Sequence, residues 1–160
     1  MIMTHFHKRL LPFIVYIGSS AALHLLWENA QAPLYEGFIS FQQHFWICFK
    51  ATGGDLLFML ILYATLASVH RDLFWITKRS AYAHPPTWII TVLVGVLLAV
   101  SVELWAVYVA YRWQYADAMP LLPILRIGLT PVLQMVFVPV ITLVATRTVS
   151  LTQQRSCQFS

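Results

Sequence analysis

The sequence predicts an all-α membrane protein, a bundle of four transmembrane helices with both termini on the cytoplasmic side. Of its 160 residues, 59% are hydrophobic and only 10% are charged, whereas soluble domains carry about 25% charged residues. The apolar residues form four long runs, and the basic residues lie mainly between them. A soluble core of this size cannot hide so much apolar surface, so a bilayer is the expected solvent.

Four segments are long enough to cross a membrane, which takes about 20 largely apolar residues. They are residues 10–31, 46–69, 88–113 and 122–146. None alternates as a strand would. We expect one membrane domain, followed by a loosely ordered polar tail at 147–160. The first segment also resembles a cleavable signal peptide, but its helical pattern continues through Trp27 and Glu28, which favours a span.

The distribution of lysine and arginine predicts the orientation. Seven of the ten fall on the side of the termini and the second loop, and three fall on the other side. Cytoplasmic loops carry the excess of basic residues, so both termini are expected in the cytoplasm. Cys48 and Cys157 then lie on opposite sides and cannot form a disulfide. Three tryptophans at span ends are expected to act as interfacial anchors. The seven basic residues on the cytoplasmic side are Lys8, Arg9, Arg71, Lys78, Arg79, Arg147 and Arg155. The three basic residues on the other side are Lys50, Arg112 and Arg126, and the tryptophans are Trp46, Trp88 and Trp113.

Ionisable residues inside the spans are the main functional signal. Glu28, Asp55 and Glu103 lie in three different spans, and each costs at least about 2.5–3.5 kcal/mol at mid-membrane on insertion scales. With a rise of about 1.5 Å per residue, His24, Asp55 and Glu103 lie roughly 5 Å to the non-cytoplasmic side of the centre. Glu28 lies roughly 12 Å out on that side, as do Lys50 and Arg126, and Gln134 lies near the centre. The spans are therefore expected to share one polar site.

Helical spacing supports this convergence. His24, Glu28 and Gln31 share one face of the first span, so His24 is expected to pair with Glu28. Glu103 lies in a column of small residues that lets helices approach closely: Gly95, Ala99, Ala106 and Ala110. Asp55 shares its face with Met59, Leu62 and Leu66.

Two prolines in the fourth span predict unpaired backbone carbonyls. Pro131 and Pro139 each remove a backbone donor, which leaves the carbonyls of Ile127 and Met135 without their usual partners. Gln134 lies between them and is expected to be that partner.

These features give a candidate site. His24, Glu28, Asp55 and Glu103 are the residues expected to carry chemistry, and substrate contacts are expected from four others: Trp27, Gln31, Arg126 and Gln134. Interhelical hydrogen bonding, at about 0.6–1.7 kcal/mol per contact, is the structural alternative. Haem needs paired core histidines, and only His24 is well placed. The other histidines lack the spacing of a metal site and are expected to be solvated: His5, His7, His70 and His84. No cofactor or metal is expected, and no nucleic-acid partner, because no basic face is present.

Several motifs resemble a group of small bacterial four-span inner-membrane proteins. They are the run from His24 to Pro33, Gly54-Asp55, Glu103, the segments 112–115 and 119–120, and the run from Gly128 to Gln134. The resemblance implies a four-span fold in the bacterial inner membrane and no particular reaction. The spacing of His24 and Glu28, with Glu103, is similar to the emopamil-binding (EXPERA) sterol isomerase pattern, in which intramembrane acids and a histidine move protons on a lipophilic ring. Glu103 stands in a different sequence context from the second acid of that family.

Three functions are compatible with such a site. The first is acid–base chemistry, isomerisation or cyclisation, on a lipophilic, isoprenoid-like substrate, because a carboxyl group between apolar walls retains a proton that it can donate. The second is a small proton- or cation-coupled transporter, which would need a homo-oligomer. The third is a non-catalytic subunit or assembly factor that docks on another membrane protein.

Overall fold

The computed structural model describes the backbone of residues 2–158 and the side chains of residues 10–152. The described residues form helices and contain no β-strand, only two isolated β-bridges. The predicted all-α class is therefore confirmed. The helices are α1 (Ile2–Gln31), α2 (Phe41–His70), α3 (Arg79–Ala83), α4 (Pro85–Leu104) and α5 (Leu129–Gln158). Short 3-10 helices follow α1 at Ala32–Leu34 and α2 at Trp75–Thr77, and α4 continues as a π-helical turn at Trp105–Val109.

Four helical segments are long and apolar enough to cross a membrane, which confirms the four-span prediction. They are Leu10–Leu34, Phe41–His70, Pro85–Val109 and Leu129–Thr152. The orientation with both termini in the cytoplasm stays a prediction. Some residues on which the sequence predictions rest have side chains outside the described residues: His5, His7, Lys8, Arg9, Arg155 and Cys157.

The helices run up and down in chain order around a common core. α5 packs against α1 and α4, α1 also packs against α2, and the contact between α2 and α4 is the least extensive of the four. We call the end that holds residues 32–40 and 110–128 the loop end, and the end that holds residues 71–84 the α3 end. The larger apolar core lies toward the α3 end, around Tyr16, Leu66 and Trp75.

Local sequence explains where α2 and α4 begin and end. The Ser40 side chain accepts a hydrogen bond from the Gln43 backbone at the start of α2, and Arg71 ends α2 in the left-handed conformation (φ 50°). α4 begins at Pro85, and proline suits a first helical turn because its missing N–H would have no partner there.

The structure differs from the predicted bounds at the start of the fourth span, at the end of the third and in the tail. α5 begins at Leu129, because residues 122–128 form a closed turn in which the Leu122 N–H donates to the Ile127 carbonyl (2.9 Å). Arg126 therefore lies in a loop with a positive φ of 55°. The third span ends at Val109, before residue 113. At the other end of the chain, α5 continues to Gln158, so the expected loosely ordered tail is helical there.

The two prolines have different consequences. Pro131 lies in the first turn of α5 and frees no carbonyl, since the Ile127 carbonyl accepts from Leu122. Pro139 lies inside α5, where it removes the usual donor to Met135. A Cβ atom at Gly95 would lie 2.1 Å from the Met135 carbonyl oxygen. The missing side chain at Gly95 thus lets α4 approach α5 backbone to backbone.

Gly95→Ala is expected to destabilise the protein by about 1–3 kcal/mol, because α4 and α5 must move apart to admit the methyl group. Thermal unfolding of the purified protein in detergent measures this change. Gly53→Ala is the matched control, because a Cβ at Gly53 meets no atom within 4 Å. Equal unfolding temperatures for the two variants would contradict the close approach of α4 and α5.

Candidate functional site

Three helices present polar side chains to one another at the same level of the bundle. The buried face of α1 repeats every four residues through Tyr16, Ser20 and His24, so His24 points into the bundle. α5 presents Gln134, which is 1% exposed, and α2 presents Asp55. The predicted convergence of polar groups from separate spans therefore holds for these three residues.

Gln134 is the centre of a hydrogen-bond network. Its side-chain nitrogen donates to Asp55 Oδ2 (3.0 Å) and lies 2.9 Å from His24 Nδ1. Its side-chain oxygen accepts from the Gln31 amide (3.1 Å). His24 Nδ1 also lies 3.3 Å from Asp55 Oδ2. The expectation that Gln134 would serve backbone carbonyls is wrong, because these contacts join side chains of α1, α2 and α5.

Glu28 joins the network through Gln31 and not through His24. The Gln31 amide nitrogen donates to Glu28 Oε1 (2.9 Å) as well as to Gln134. The imidazole of His24 instead contacts Asp55 and Gln134. The expected pairing of His24 with Glu28 is thus replaced by a pairing of His24 with Asp55, since the buried face of α1 turns the imidazole toward α2 and α5.

Glu103 forms a second cluster near the end of α4. The π-helical turn widens the helix end, and Tyr111 then adopts a positive φ of 50°, which reverses the chain. Trp113 and Tyr115 return over α4, where the Trp113 indole N–H donates to Glu103 Oε2 (3.4 Å) and the Tyr115 hydroxyl donates to the same oxygen. Trp113 is thus a partner of Glu103, and its role as an interfacial anchor stays a prediction.

Tyr115 is held in its protonated form. Burial raises the pKa of the Tyr115 hydroxyl, and its hydrogen bond to Glu103 raises this pKa further. Burial also raises the pKa of Tyr35, which packs against Tyr115 with ring centroids 5.7 Å apart. Tyr115 therefore remains a donor to Glu103 over the physiological pH range.

Two loop segments pair across the loop end of the bundle. The Glu36 N–H donates to the Gln114 carbonyl (3.0 Å), and the Ala116 N–H donates to the Leu34 carbonyl (3.0 Å). These bonds tie the connection after α1 to the connection after α4. The pairing fixes the position of Tyr115 and so the second carboxyl cluster.

Both carboxyl clusters line one cavity of about 610 Å³. Glu28, Asp55 and Glu103 reach it from three helices, and Gln31 and Gln134 also face it. The apolar part of its wall includes Ile47, Phe58, Ala99, Val102 and Met135. Lys50, Arg112, His44 and Glu36 line it as well.

The cavity is open along α2. Of the α2 residues that line it, Ile47, Ala51 and Gly54 are exposed. A Cβ at Gly54 would meet no atom within 4 Å, and Gly54 lies near the middle of the span Phe41–His70. The exposed lining residues also include Lys50 of α2 and the loop residues Glu36 and Arg112. The cavity therefore opens along α2, where the contact with α4 is sparse, and toward the loop end.

Three predicted residues lie apart from the cavity wall. His24 is fully buried behind Asp55 and Gln134. Trp27 stacks against Phe137 (ring centroids 6.4 Å apart), and Arg126 lies in the 122–128 turn. Trp27 and Arg126 do not line the cavity, so we do not include them in the site.

His70, at the α3 end, contacts neighbouring side chains. His70 contacts the Thr87 hydroxyl (3.0 Å) and stacks on Trp75, so it is not simply solvated as expected. Within residues 10–152, no three histidine, cysteine or acidic side chains are grouped as metal ligands.

The sequence did not reveal the partners of Glu103. Trp113, Tyr115 and Tyr35 follow spans, where aromatic residues suggest an interface. Lys50 and Arg112, which served above to predict the orientation, also line the cavity. The excess of aromatic residues around both loop-end connections was the available signal.

Comparison with known proteins gives no family. No family model matches the chain, and neither a curated protein nor a solved structure matches it. The structure itself therefore defines the class, a four-helix bundle of membrane-spanning helices with a polar cavity.

Gln134→Leu is expected to destabilise the protein by about 1–3 kcal/mol, because Asp55, His24 and Gln31 lose a shared partner in a buried place. The measurement is again thermal unfolding in detergent. Gln43→Leu makes the same substitution at an exposed position of α2 and should leave the unfolding temperature nearly unchanged. A stable Gln134→Leu variant would show that the network does not hold the helices together.

Proposed function

We propose that this chain is a multi-pass protein of the bacterial inner membrane, with both termini in the cytoplasm, and that its cavity carries out acid–base chemistry on a lipophilic, isoprenoid-like molecule. Isomerisation or cyclisation is the reaction class. The observation that carries the proposal is the cavity, in which carboxyl groups from three helices meet an apolar wall open along α2.

Access from the bilayer suits a lipophilic substrate. The opening beside Gly54 lies within a membrane span, and Ile47 and Phe58 provide apolar contact on either side of it. A cavity of about 610 Å³ lies in the range of roughly 300–1,000 Å³ that is typical of small-molecule sites.

The proposed reaction needs a proton donor and a proton acceptor. A carboxylic acid donates its proton to one carbon of a double bond, and the π electron pair forms the new C–H bond. A second group then removes a proton from a neighbouring carbon, and those electrons form the shifted double bond. The substrate gains one proton and loses another, so no other reactant is consumed, and proton exchange with solvent returns the donor and the acceptor to their starting states.

The two clusters suit these two roles. Asp55, with His24 behind it, belongs to a network that can take up and release a proton. Glu103 accepts hydrogen bonds from Trp113 and Tyr115, and donated hydrogen bonds stabilise a carboxylate. We assign the donor role to Asp55, with Glu28 nearby through Gln31, and the acceptor role to Glu103.

Asp55→Asn and Glu103→Gln are each expected to abolish conversion of the substrate, because an amide neither donates nor accepts a proton in this chemistry. Lipid extracts of cells that carry each variant are compared with wild type by chromatography and mass spectrometry that separates double-bond isomers. A precursor should accumulate and its isomer disappear in both variants.

Asp117→Asn is the matched control, since Asp117 is an exposed loop acid that does not line the cavity. Its lipid profile should equal wild type. Unchanged profiles in all three variants, at equal protein levels, would contradict an enzymatic role. A stoichiometric membrane-protein partner in mild detergent would then favour the role of a subunit.

Gly54→Leu is expected to block the cavity, because the new side chain extends into its opening, whereas Gly53→Leu adds the same bulk outside the cavity wall. The measurement is a titration of the purified protein in nanodiscs with a fluorescent polyene lipid, which gives the affinity of the protein for that lipid. Affinity should fall about tenfold or more for Gly54→Leu, which corresponds to about 1.4 kcal/mol, and stay at the wild-type value for Gly53→Leu. Equal affinities for the two variants would argue against access along α2.

A further inference from the structure

His24 has one ring nitrogen in the network and one outside it. Nδ1 lies within contact distance of Asp55 and Gln134. Nε2 is fully buried and has no hydrogen-bond partner among the described protein groups. An imidazole nitrogen without a partner in a buried place is costly in either tautomer, because one tautomer needs an acceptor and the other a donor.

Two further buried hydroxyl groups lie on the same side of the network. Ser20 precedes His24 by one helical turn on the buried face of α1, and Thr142 lies on α5, which packs against α1. Both are 0% exposed, and the oxygens of both lack a partner among the described groups. Two contacts between α1 and α5 show how far along the bundle Thr142 lies. His24 contacts Gln134, and Tyr16 lies in one core cluster with Leu143. Thr142 therefore lies about one turn from Ser20.

We propose that Ser20, His24 and Thr142 form an internal water site on the α3 side of the cavity and that His24 passes protons between this water and Asp55. The site holds at least two waters, because Thr142 lies about two helical turns from His24 along the bundle. One water contacts His24 and Ser20 and the next contacts Ser20 and Thr142, so that each buried polar atom gains a partner. This proposal rests on the proposed function, with which it shares Asp55. Its first measurement therefore uses no substrate, and lipid conversion is measured separately.

The proton transfer is balanced within these groups. Water, with a proton from bulk solvent, donates to His24 Nε2, and an N–H bond forms there. The proton on Nδ1 then passes to Asp55 Oδ2, which lies 3.3 Å away, so one N–H bond breaks and one O–H bond forms. With its proton on Nε2, the ring can instead accept at Nδ1 from the Gln134 amide, which lies 2.9 Å away. Before the transfer, Nδ1–H of His24 donates to Asp55, and after it the unprotonated Nδ1 accepts from Gln134.

Buried hydroxyl groups continue from this site toward the α3 end. Thr91 and Thr87 lie on the buried face of α4, both 0% exposed, and Thr146 lies one turn beyond Thr142 on α5. The Thr87 hydroxyl contacts His70, which is only half-buried (3.0 Å). The Thr87, Thr91 and Thr146 hydroxyls donate to backbone carbonyls, so they offer water only their acceptor lone pairs.

The test measures water contact at His24 directly. The full-length protein with ¹⁵N-labelled histidine is reconstituted in lipid, and solid-state NMR records magnetisation transfer from water to the imidazole nitrogens. The His24→Gln variant identifies the His24 signals by their loss. Wild-type protein is expected to show transfer from water to Nε2 of His24.

Matched variants separate the water site from a general effect on the helices. Ser20→Ala combined with Thr142→Val should abolish the transfer to His24 Nε2, and Thr142→Ser alone, which keeps both hydroxyl groups, should retain it. Ser19→Ala and Thr148→Val should not change it, because the Ser19 and Thr148 hydroxyls already donate to the Val15 and Val144 carbonyls.

Two results would overturn the proposal. One is a dry His24 Nε2 in the wild-type protein, and the other is water transfer that survives in the double variant Ser20→Ala, Thr142→Val. Lipid conversion distinguishes this failure from failure of the proposed function. A double variant that loses the water signal and keeps wild-type conversion overturns the relay alone, whereas unchanged lipid profiles in Asp55→Asn and Glu103→Gln contradict the enzymatic role alone.

Discussion

Polar side chains within a membrane span must find their partners inside the protein, and here one glutamine supplies them. A side-chain amide offers both donors and an acceptor, so Gln134 can serve Asp55, His24 and Gln31 together. An apolar residue in place of Gln134 would leave His24 and Gln31 of α1 and Asp55 of α2 without a shared partner. The hydrogen bonds of Gln134 thus specify which faces of α1, α2 and α5 meet and at what level, which apolar contacts alone specify weakly in lipid.

The close contact of α4 and α5 divides the bundle into a packed part and an open part. Gly95 lies against the Met135 carbonyl, which Pro139 has freed from its usual partner. Toward the α3 end, the large core around Trp75 fills the space between the helices. Toward the loop end, the helices surround the cavity, and the paired loops tie them together. A cavity can therefore exist in a small bundle because packing at the opposite end stabilises it.

The parts of the fold that repeat along a helix could be predicted, and the parts that depend on irregular backbone could not. Hydropathy and spacing gave four spans, the small-residue face of Glu103 and the face of Asp55, because burial follows the helical period. The turn at residues 122–128 is apolar, so hydropathy alone joined it to the fourth span. The partners of Glu103 depend on the left-handed conformation of Tyr111, which no periodic pattern encodes. The spacing of His24 and Glu28 suggested a pair, whereas the actual partner Asp55 lies on another helix.

The two carboxyl clusters differ in what surrounds them, and this difference is the chemical content of the site. Glu103 accepts hydrogen bonds from the indole N–H of Trp113 and the hydroxyl of Tyr115. An indole nitrogen cannot take up a proton. The raised pKa of Tyr115 keeps its hydroxyl protonated. Asp55 instead contacts an imidazole, which can both donate and accept. One carboxyl group is thus surrounded by fixed donors, and the other is next to a group that exchanges protons. Carboxyl groups placed in contrasting environments within one cavity are what an acid–base pair requires.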